Sequence, residues 1–200
     1  MERGSGGATF VRMRVTAGTV KGLRLKSPGS GTRPMTDRMK ESLFSALGDI
    51  EGAVVLDLFA GSGSLGLEAL SRGATKATFV ESARDAVVKL KENIDTTGFE
   101  DTSEVLWAEV KPILDNHATE RKDLIFVDPP YNMPAEKVLG NLEQLVMGGY
   151  LSDSGRVVVQ RNGKENPLKP FGLQMIWERE FGQSKLYIYT HEDEEEESSD

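Results

Sequence analysis

The chain of 200 residues contains no cysteine and only two histidines, His117 and His191. The lack of cysteine excludes a disulfide framework and a thiolate site, and two histidines so far apart do not form a zinc site. No apolar run approaches the roughly 20 residues that a membrane span requires, and the N-terminus lacks the apolar segment of a signal peptide. These absences predict a soluble, cytoplasmic protein without a metal site.

Acidic residues are scarce near the N-terminus, although the net charge of the chain is −8. Residues 1–40 hold nine Lys or Arg against two acids, whereas residues 41–200 hold fifteen against thirty. The alternation within residues 13–30 predicts a basic β-hairpin. Such a hairpin suits RNA phosphates, or else it is an edge kept soluble by its charges. The cations predicted to meet RNA are Arg14, Lys21, Arg24 and Lys26.

A glycine-rich turn follows the apolar run 54–58. Gly61, Gly63 and Gly66 fit the pattern G-x-G-x-x-G, which lets backbone approach a ligand closely at a helix N-terminus. Glu81 ends the next apolar run, where a doubly wound sheet places a carboxylate against ribose hydroxyls. This order predicts a nucleoside-containing cofactor. The residues predicted to contact it here are Asp57, Phe59, Gly61, Ser62, Gly63 and Glu81.

Asp57 distinguishes between two cofactors that such a turn could bind. The pyrophosphate of a nicotinamide dinucleotide would lie close to Asp57, and like charges at short range cost on the order of a few kcal/mol at an effective dielectric constant near 20. S-adenosylmethionine carries no phosphate, and an acid at the strand end favours its sulfonium and ammonium groups. Asp57 therefore predicts S-adenosylmethionine as the cofactor.

The tetrapeptide Asp128, Pro129, Pro130 and Tyr131 follows another apolar run. Neither proline can donate to a β-ladder, so the strand stops and leaves a rigid rim. A carboxylate and a carbonyl on that rim can each accept one N–H of an amino group while the aromatic ring stacks on a base. The alternative is a strand-ending turn with a surface tyrosine. Together with the glycine motif, the four residues predict a catalytic site for a flat substrate that carries an amino group.

Three blocks, residues 31–47, 56–74 and 126–131, resemble the RsmD-type 16S ribosomal RNA guanine-N2 methyltransferases of bacteria. The resemblance implies methylation of a guanine N2 in small-subunit ribosomal RNA, within an assembling ribonucleoprotein particle and with S-adenosylmethionine as donor. The sequence departs from the family at Gln160, taken to follow the fifth strand, where Glu is common. The family's segment over the cofactor pocket corresponds to Arg33, Thr36 and Arg38, implied to form a cofactor lid and an RNA contact.

Glu109 also departs from the family, which more often has Asp or Asn at that position. It follows the third predicted strand, where this type of sheet places an acceptor for the adenine amino group, and Val110 offers the next backbone N–H. Both residues are therefore expected to bind the cofactor. The alternative for Glu109 is a solvent-facing acid at a helix start, which the helix dipole favours.

Alternating strands and helices predict a Rossmann-like, class I methyltransferase fold of the α/β class, with a seven-stranded, mostly parallel sheet that ends in an antiparallel hairpin. The methyltransferase domain is expected over residues 31–191, in a monomer. A DNA adenine or cytosine amino-methyltransferase stays open, although 200 residues leave little room for a target-reading insert. A protein glutamine methyltransferase normally has Asn in place of Asp128. A catalytically silent RNA-binding protein is a further alternative, which Asp128 and the glycines disfavour.

Overall fold

A computed structural model describes residues 13–27 and 35–192 of the chain. The N-terminus 1–12, expected to be flexible, lies outside these ranges, as do Arg33 and all but Glu192 of the acidic tail 192–200, which was expected to be disordered. Within both ranges, no helix is long and apolar enough to cross a membrane. The α-helices and strands of the described residues are α1 (Asp37–Leu47), β1 (Val54–Leu58), α2 (Ser64–Ser71), β2 (Lys76–Glu81), α3 (Arg84–Thr97), β3 (Ser103–Trp107), α4 (Val110–Leu114), β4 (Lys122–Val127), α5 (Ala135–Met147), β5 (Leu151–Asn162), β6 (Leu173–Phe181) and β7 (Ser184–His191).

The seven strands form one mixed sheet in the order β3-β2-β1-β4-β5-β7-β6. The strands β1 to β5 pair in parallel, whereas β7 runs antiparallel to both of its neighbours. The predicted closing hairpin is thus β6 and β7, and it gives the sheet an antiparallel end. The chain order reverses between β1 and β4, and in open α/β sheets the crevice at such a switch point is where ligands bind.

Side chains that alternate along the central strands supply one hydrophobic core on each face of the sheet. On the first face, Val55 and Phe126 pack in a cluster with α1, α2 and α3. On the second face, Leu56 and Ile125 pack in a cluster with α4 and α5. Asp57 lies two residues beyond Val55, so it faces the same side as α2.

Helix α1 has a defined N-terminal cap and one buried face. Thr36 is the N-cap, and its hydroxyl accepts a hydrogen bond from the backbone N–H of Met39 at 3.3 Å. Met39, Leu43 and Leu47, which share one face of the helix, are all buried. The cap determines where the helix starts, and the row of buried residues determines which side of the helix faces the sheet.

Residues 13–27 fold back on themselves without forming a regular hairpin. An antiparallel bridge joins Arg14 to Arg24, and the backbone N–H of Val15 donates to the carbonyl of Leu23 at 2.9 Å. Neither arm is a strand of the sheet. The expected β-hairpin is therefore reduced to a bridged loop, which side chains of the methyltransferase domain also hold in place.

The main anchor of the segment is Glu68 of α2, which is fully buried. Its carboxylate accepts from the backbone N–H and the hydroxyl of Thr16 at 2.8 and 2.6 Å, and from the N–H of Ala17 at 3.1 Å. Lys40 of α1 and Arg72 pair with it at 3.2 and 2.9 Å. Thr16 itself is buried. A buried carboxylate is tolerated only when it is well paired, so this network joins three elements into one unit.

Candidate active site

Three carboxyl groups lie at one edge of the sheet because their strands are neighbours. Asp57 lies near the end of β1, Glu81 ends β2, and Asp128 directly follows β4. All three line a cavity of about 620 Å³, whose other walls come mainly from the glycine turn, the start of α3 and the rim after β4. In the part of the chain that the structure describes, no group of three His, Asp or Glu side chains is placed to hold a metal ion.

Glu81 ties the glycine turn to the end of β2. The backbone N–H of Gly61 donates to Glu81 Oε2 at 2.8 Å, and that of Ala83 donates to Oε1 at 2.7 Å. Gly61 has a φ of 57°, a conformation that glycine adopts without strain. A carboxylate oxygen can accept two hydrogen bonds, so Glu81 keeps acceptor capacity for hydroxyl groups in the cavity.

Gly63 and Gly66 lie behind the turn, outside the cavity wall. A Cβ atom on Gly63 would lie 2.4 Å from Cδ1 of Leu90, and one on Gly66 would lie 2.3 Å from Cε1 of Phe79. Both glycines therefore allow α2 and α3 to pack closely against the sheet. The structure places Gly61 at the cavity, but it does not bring Gly63 there.

Asp57 is almost completely buried, and its Oδ2 accepts a hydrogen bond from the backbone N–H of Gly66 at 2.9 Å. Burial raises the pKa of Asp57 to about 8; the Gly66 hydrogen bond opposes this rise, and the charges of Asp128 and Glu81 add to it. Asp57 therefore keeps a proton near neutral pH unless a cation approaches. Its ionisation is coupled to whatever occupies the cavity.

Asp128 is partly buried, and no hydrogen bond joins its side chain to residues 13–27 or 35–192. Burial raises the pKa of Asp128 to about 7. Near neutral pH the carboxyl group is thus close to the midpoint of its titration. Such a group is suited to accept a hydrogen bond or a proton during a reaction.

Phe59 and Ser62 hold the turn between β1 and α2, and both line the cavity. Phe59 has a φ of 60°, which is unusual for a bulky residue and is maintained only where surrounding contacts enforce it. The carbonyl of Ser62 accepts from Nδ2 of Asn93 at 2.9 Å. The same Asn93 side chain holds the backbone of Lys26, so it links the N-terminal segment to the glycine turn.

The rim after β4 places its four residues at different depths. Pro129 is buried, Pro130 is exposed, and the Tyr131 ring is 38% exposed. The hydroxyl of Tyr131 is hydrogen-bonded to Ser184 and accepts from Gln160 Nε2 at 3.4 Å. Gln160 lies inside β5 and is buried, so its expected position after that strand was wrong.

Several predicted site residues lie elsewhere. Glu109 is exposed at the N-cap of α4, and Val110 is buried as the first residue of that helix. Neither lines the cavity. The position of Glu109 is that of the alternative, an acid at a helix start. Thr36 is engaged as the cap of α1, and Arg38 is exposed as the second residue of that helix.

The cations of the N-terminal segment form what we call the basic face, which consists of Arg14, Lys21, Arg24 and Lys26, all exposed. Arg14 pairs with Asp37 at 2.6 Å and Lys26 pairs with Glu92 at 3.1 Å. The other two cations have no acidic partner among the residues that the structure describes. Because directly opposed residues of an antiparallel bridge share a face, Arg14 and Arg24 lie side by side.

Met13 and Met35 are among the wall residues of the cavity that were not predicted. Both belong to segments that the sequence analysis assigned to RNA or to a lid. A lone methionine carries no signal of its own. Asn93 was also missed, although a buried amide between Leu90 and Ile94 on the core side of a helix is a detectable irregularity.

Residues 13–190 match the family model described as "Conserved hypothetical protein 95". The chain belongs to this family. It is 34% identical over 193 residues to Ribosomal RNA small subunit methyltransferase D of Escherichia coli K12, covering 94% of this chain and 95% of that protein. The structure of a hypothetical protein of Thermus thermophilus is 33% identical, with a TM-score of 0.74 over 88% of this chain and 97% of that one. The expected membership of the RsmD-type family is thus confirmed.

The fold extends beyond the Conserved hypothetical protein 95 family. A ribosomal protein L11 methylase of Lactobacillus delbrueckii superposes with a TM-score of 0.60 at 16% identity, covering 77% of each chain. At that identity the likeness shows the fold alone. The predicted α/β methyltransferase fold with a seven-stranded sheet is confirmed.

Fold and family support S-adenosylmethionine as the cofactor, as the sequence predicts. The cavity fits this molecule on three counts. Its volume lies within the roughly 300–1,000 Å³ of small-molecule sites. Buried acids favour a ligand that carries a sulfonium and an ammonium group. Gly61 presents backbone without a side chain, and Glu81 keeps acceptor capacity for ribose hydroxyls.

Proposed function

We propose that the protein methylates the exocyclic N2 of a guanine in small-subunit ribosomal RNA, with S-adenosylmethionine as the donor. The observation that carries this proposal is the placement of Asp128 in the same cavity as Asp57, on a proline rim with an aromatic ring at its mouth. The name of the Escherichia coli relative, a ribosomal RNA small subunit methyltransferase, supports the class of substrate. The choice of an amino group follows from the chemistry of the rim.

Asp128 and the carbonyl of Pro129 are the groups that would activate the amino nitrogen. Guanine N2 is a poor nucleophile because its lone pair is delocalised into the ring. Two acceptors that hold its hydrogens turn the lone pair away from the ring and stabilise the positive charge that develops on nitrogen. With a pKa of about 7, Asp128 also suits the proton that N2 must lose. The bound cofactor supplies a methyl group made electrophilic by its sulfonium.

The residues that would hold the cofactor are those of the glycine turn and the two strand ends beside it. Asp57 lies where a buried acid favours the cationic methionine end, and Glu81 lies where its free acceptor capacity suits ribose hydroxyls. Gly61 lets the backbone approach, and Phe59 and Ser62 complete the wall. Glu81→Ala should weaken binding of S-adenosylmethionine by about 1–3 kcal/mol or more, because it removes the acceptor for the ribose hydroxyls. It also leaves the N–H of Gly61 without its acceptor.

The substrate would be held by Tyr131 and by the basic face. Tyr131 presents a half-exposed ring on which an unpaired guanine can stack. The basic face lies on the segment that also contributes Met13 to the cavity, so RNA phosphates there would bring a base toward the rim. We further propose, from the RsmD resemblance, that the protein acts as a cytoplasmic monomer on RNA within an assembling particle.

Methyl transfer from labelled S-adenosylmethionine tests the proposal. Naked small-subunit ribosomal RNA, small-subunit particles, DNA and a protein mixture are compared side by side, and the labelled product is digested and identified by mass spectrometry. We expect N2-methylguanosine at one position of the ribosomal RNA, and none with Asp128→Ala. Methyladenine in DNA as the sole product, or label in protein alone, would overturn the assignment.

A further inference from the structure

Residues of two strands, β5 and β7, hold the hydroxyl end of the Tyr131 side chain. Its hydroxyl is hydrogen-bonded to Ser184, the first residue of β7, and lies 3.4 Å from the amide nitrogen of Gln160 in β5. Ser184 and Gln160 are 5% and 4% exposed. The ring itself remains at the surface beside the cavity. Tyr131 is therefore a surface aromatic residue whose polar end is fixed in the sheet.

A second contact holds the same loop from the other face of the sheet. Arg161, the neighbour of Gln160 in β5, donates to the carbonyl of Met133 at 3.3 Å and pairs with Glu165. Successive residues of a strand point to opposite faces, so Gln160 and Arg161 reach the rim from opposite sides. The loop that carries Tyr131 is thus fixed at two points.

Gln160 is poorly explained by packing alone. Its carbonyl oxygen is buried and has no hydrogen-bond partner within residues 13–27 and 35–192. A buried acceptor without a partner destabilises a fold, and an apolar side chain at this position would avoid that cost. The contact with Tyr131 accounts for a polar side chain at this buried position.

We propose that Ser184 and Gln160 are positioning residues, which hold the Tyr131 ring in the orientation on which the substrate base stacks. This inference rests on the proposed function, because it requires a base at Tyr131. A ring that is already oriented loses little side-chain freedom when the base arrives, whereas a free ring must be ordered first. Loss of that preorganisation weakens binding by about 2- to 10-fold.

Three variants test the link, namely Ser184→Ala, Gln160→Met and Tyr131→Phe. The matched control is Ser103→Ala, since Ser103 also begins a strand and its buried hydroxyl has no partner in the described part of the chain. We expect each of the three variants to raise KM for RNA by about 2- to 10-fold. For Ser184→Ala and Gln160→Met, the turnover number at saturating RNA and the calorimetric affinity for S-adenosylhomocysteine should stay within about twofold, and the control should match the wild type.

The double variant Ser184→Ala with Tyr131→Phe distinguishes positioning from a structural role. If Ser184 acts through the tyrosine hydroxyl, its loss should cost nothing further once that hydroxyl is gone. Additive costs, or an unchanged KM in a Ser184→Ala protein of normal melting temperature, would overturn the inference. Tyr131 lies on the exposed rim, so Tyr131→Phe tests the same contact should Ser184→Ala not fold, and an unchanged KM there counts equally against it.

Tyr131→Ala separates this inference from the proposed function. A loss of RNA affinity in Tyr131→Ala without any loss in Tyr131→Phe or Ser184→Ala would leave guanine stacking in place and refute the positioning role. Absence of methyl transfer to RNA by the wild-type protein would refute the proposed function, and the positioning role with it.

Discussion

Asp57 and Asp128 lie at the ends of two adjacent strands and line the same cavity, but their surroundings differ. Asp57 is almost completely buried and accepts a hydrogen bond from Gly66 at the start of α2. Asp128 has no such bond to the described residues, and prolines follow it. One carboxyl group is thus built into the fold, and the other is left available to a transient partner. The position of a carboxyl group at a strand end therefore does not by itself indicate its role. The hydrogen bonds around the group indicate whether it supports the fold or is available to a ligand.

The largest effect is expected for Asp128→Asn. The amide keeps the size of the side chain but loses the negative charge that would stabilise the amino group in the transition state. We expect the turnover number to fall by about 100-fold or more, as when a transition-state hydrogen-bonding group is lost, with little change in affinity for S-adenosylhomocysteine. Steady-state kinetics and calorimetry measure the two quantities.

Asp85→Asn is a matched control for this variant, because Asp85 lines the same cavity and its change removes the same charge. Its turnover number at saturating cofactor should stay near that of the wild type. If Asp128→Asn turned over at the wild-type rate, Asp128 would have no catalytic role that distinguishes it from Asp57.

A smaller and different effect is expected for Asp57→Asn. The remaining side-chain oxygen still accepts from the N–H of Gly66, so the turn should keep its shape. The lost charge should weaken binding of S-adenosylmethionine by about 1.5–3 kcal/mol, the usual range for a hydrogen bond or ion contact with a charged group. Calorimetry with S-adenosylhomocysteine should show a smaller loss, because its sulfur is neutral. Equal losses for both ligands would place Asp57 away from the sulfonium.

The raised pKa values of the two acids predict how stability depends on pH. The pKa of Asp57 is about 8 and that of Asp128 is about 7 in the fold, against 3.8 for an unperturbed aspartate. Between about pH 4 and pH 8 these two groups bind more protons in the folded protein than in the unfolded chain, so their contribution to stability falls as pH rises. Below about pH 4 both carboxyl groups are protonated, so the free-energy cost of burying their charges is absent. Above about pH 8 both are ionised, and the folded protein bears that cost in full.

Urea unfolding of the ligand-free protein at pH 5 and pH 8 measures this dependence. The wild type should lose stability between the two values, and Asp57→Asn should lose less, since one of the two titrating groups is gone. Parallel losses in both proteins would assign the pH dependence to other groups.

The smallest effect is expected on the basic face. Lys21→Gln with Arg24→Gln should weaken RNA binding and reduce the slope of log affinity against log salt by about 0.7 for each single-strand phosphate that the variant no longer neutralises. Lys137 and Lys169 are exposed cations on other parts of the surface, and their double change to Gln is the control. An equal change of slope in both double variants would mean that RNA binding is not localised to the basic face.

Local patterns in the sequence were enough to predict the parts of the site that depend on one element. The apolar run before Asp128 and the prolines after it follow from the chemistry of neighbouring residues. The glycine turn was predicted for the same reason, because Gly61 has a positive φ and Gly66 leaves no room for a Cβ atom beside Phe79.

What the sequence did not predict depends on elements that meet only in the fold. Glu68 looks like an ordinary polar residue of a short helix, and nothing near it in the chain indicates Thr16 or Lys40 as partners. Asn93 joins two segments that are far apart in sequence. Periodicity was misleading for residues 13–27, because alternation also fits a loop whose inner side chains enter a core.

The Glu68 network has a consequence for the biosynthesis of the protein. Thr16 and Glu68 are 52 residues apart, so the N-terminal segment leaves the ribosome well before the carboxylate that anchors it. Until α2 has been synthesised, Thr16 and Ala17 lack their acceptor and the basic face has no fixed support. The basic face is therefore completed late, when the nascent chain already contains the glycine turn and the start of the cavity.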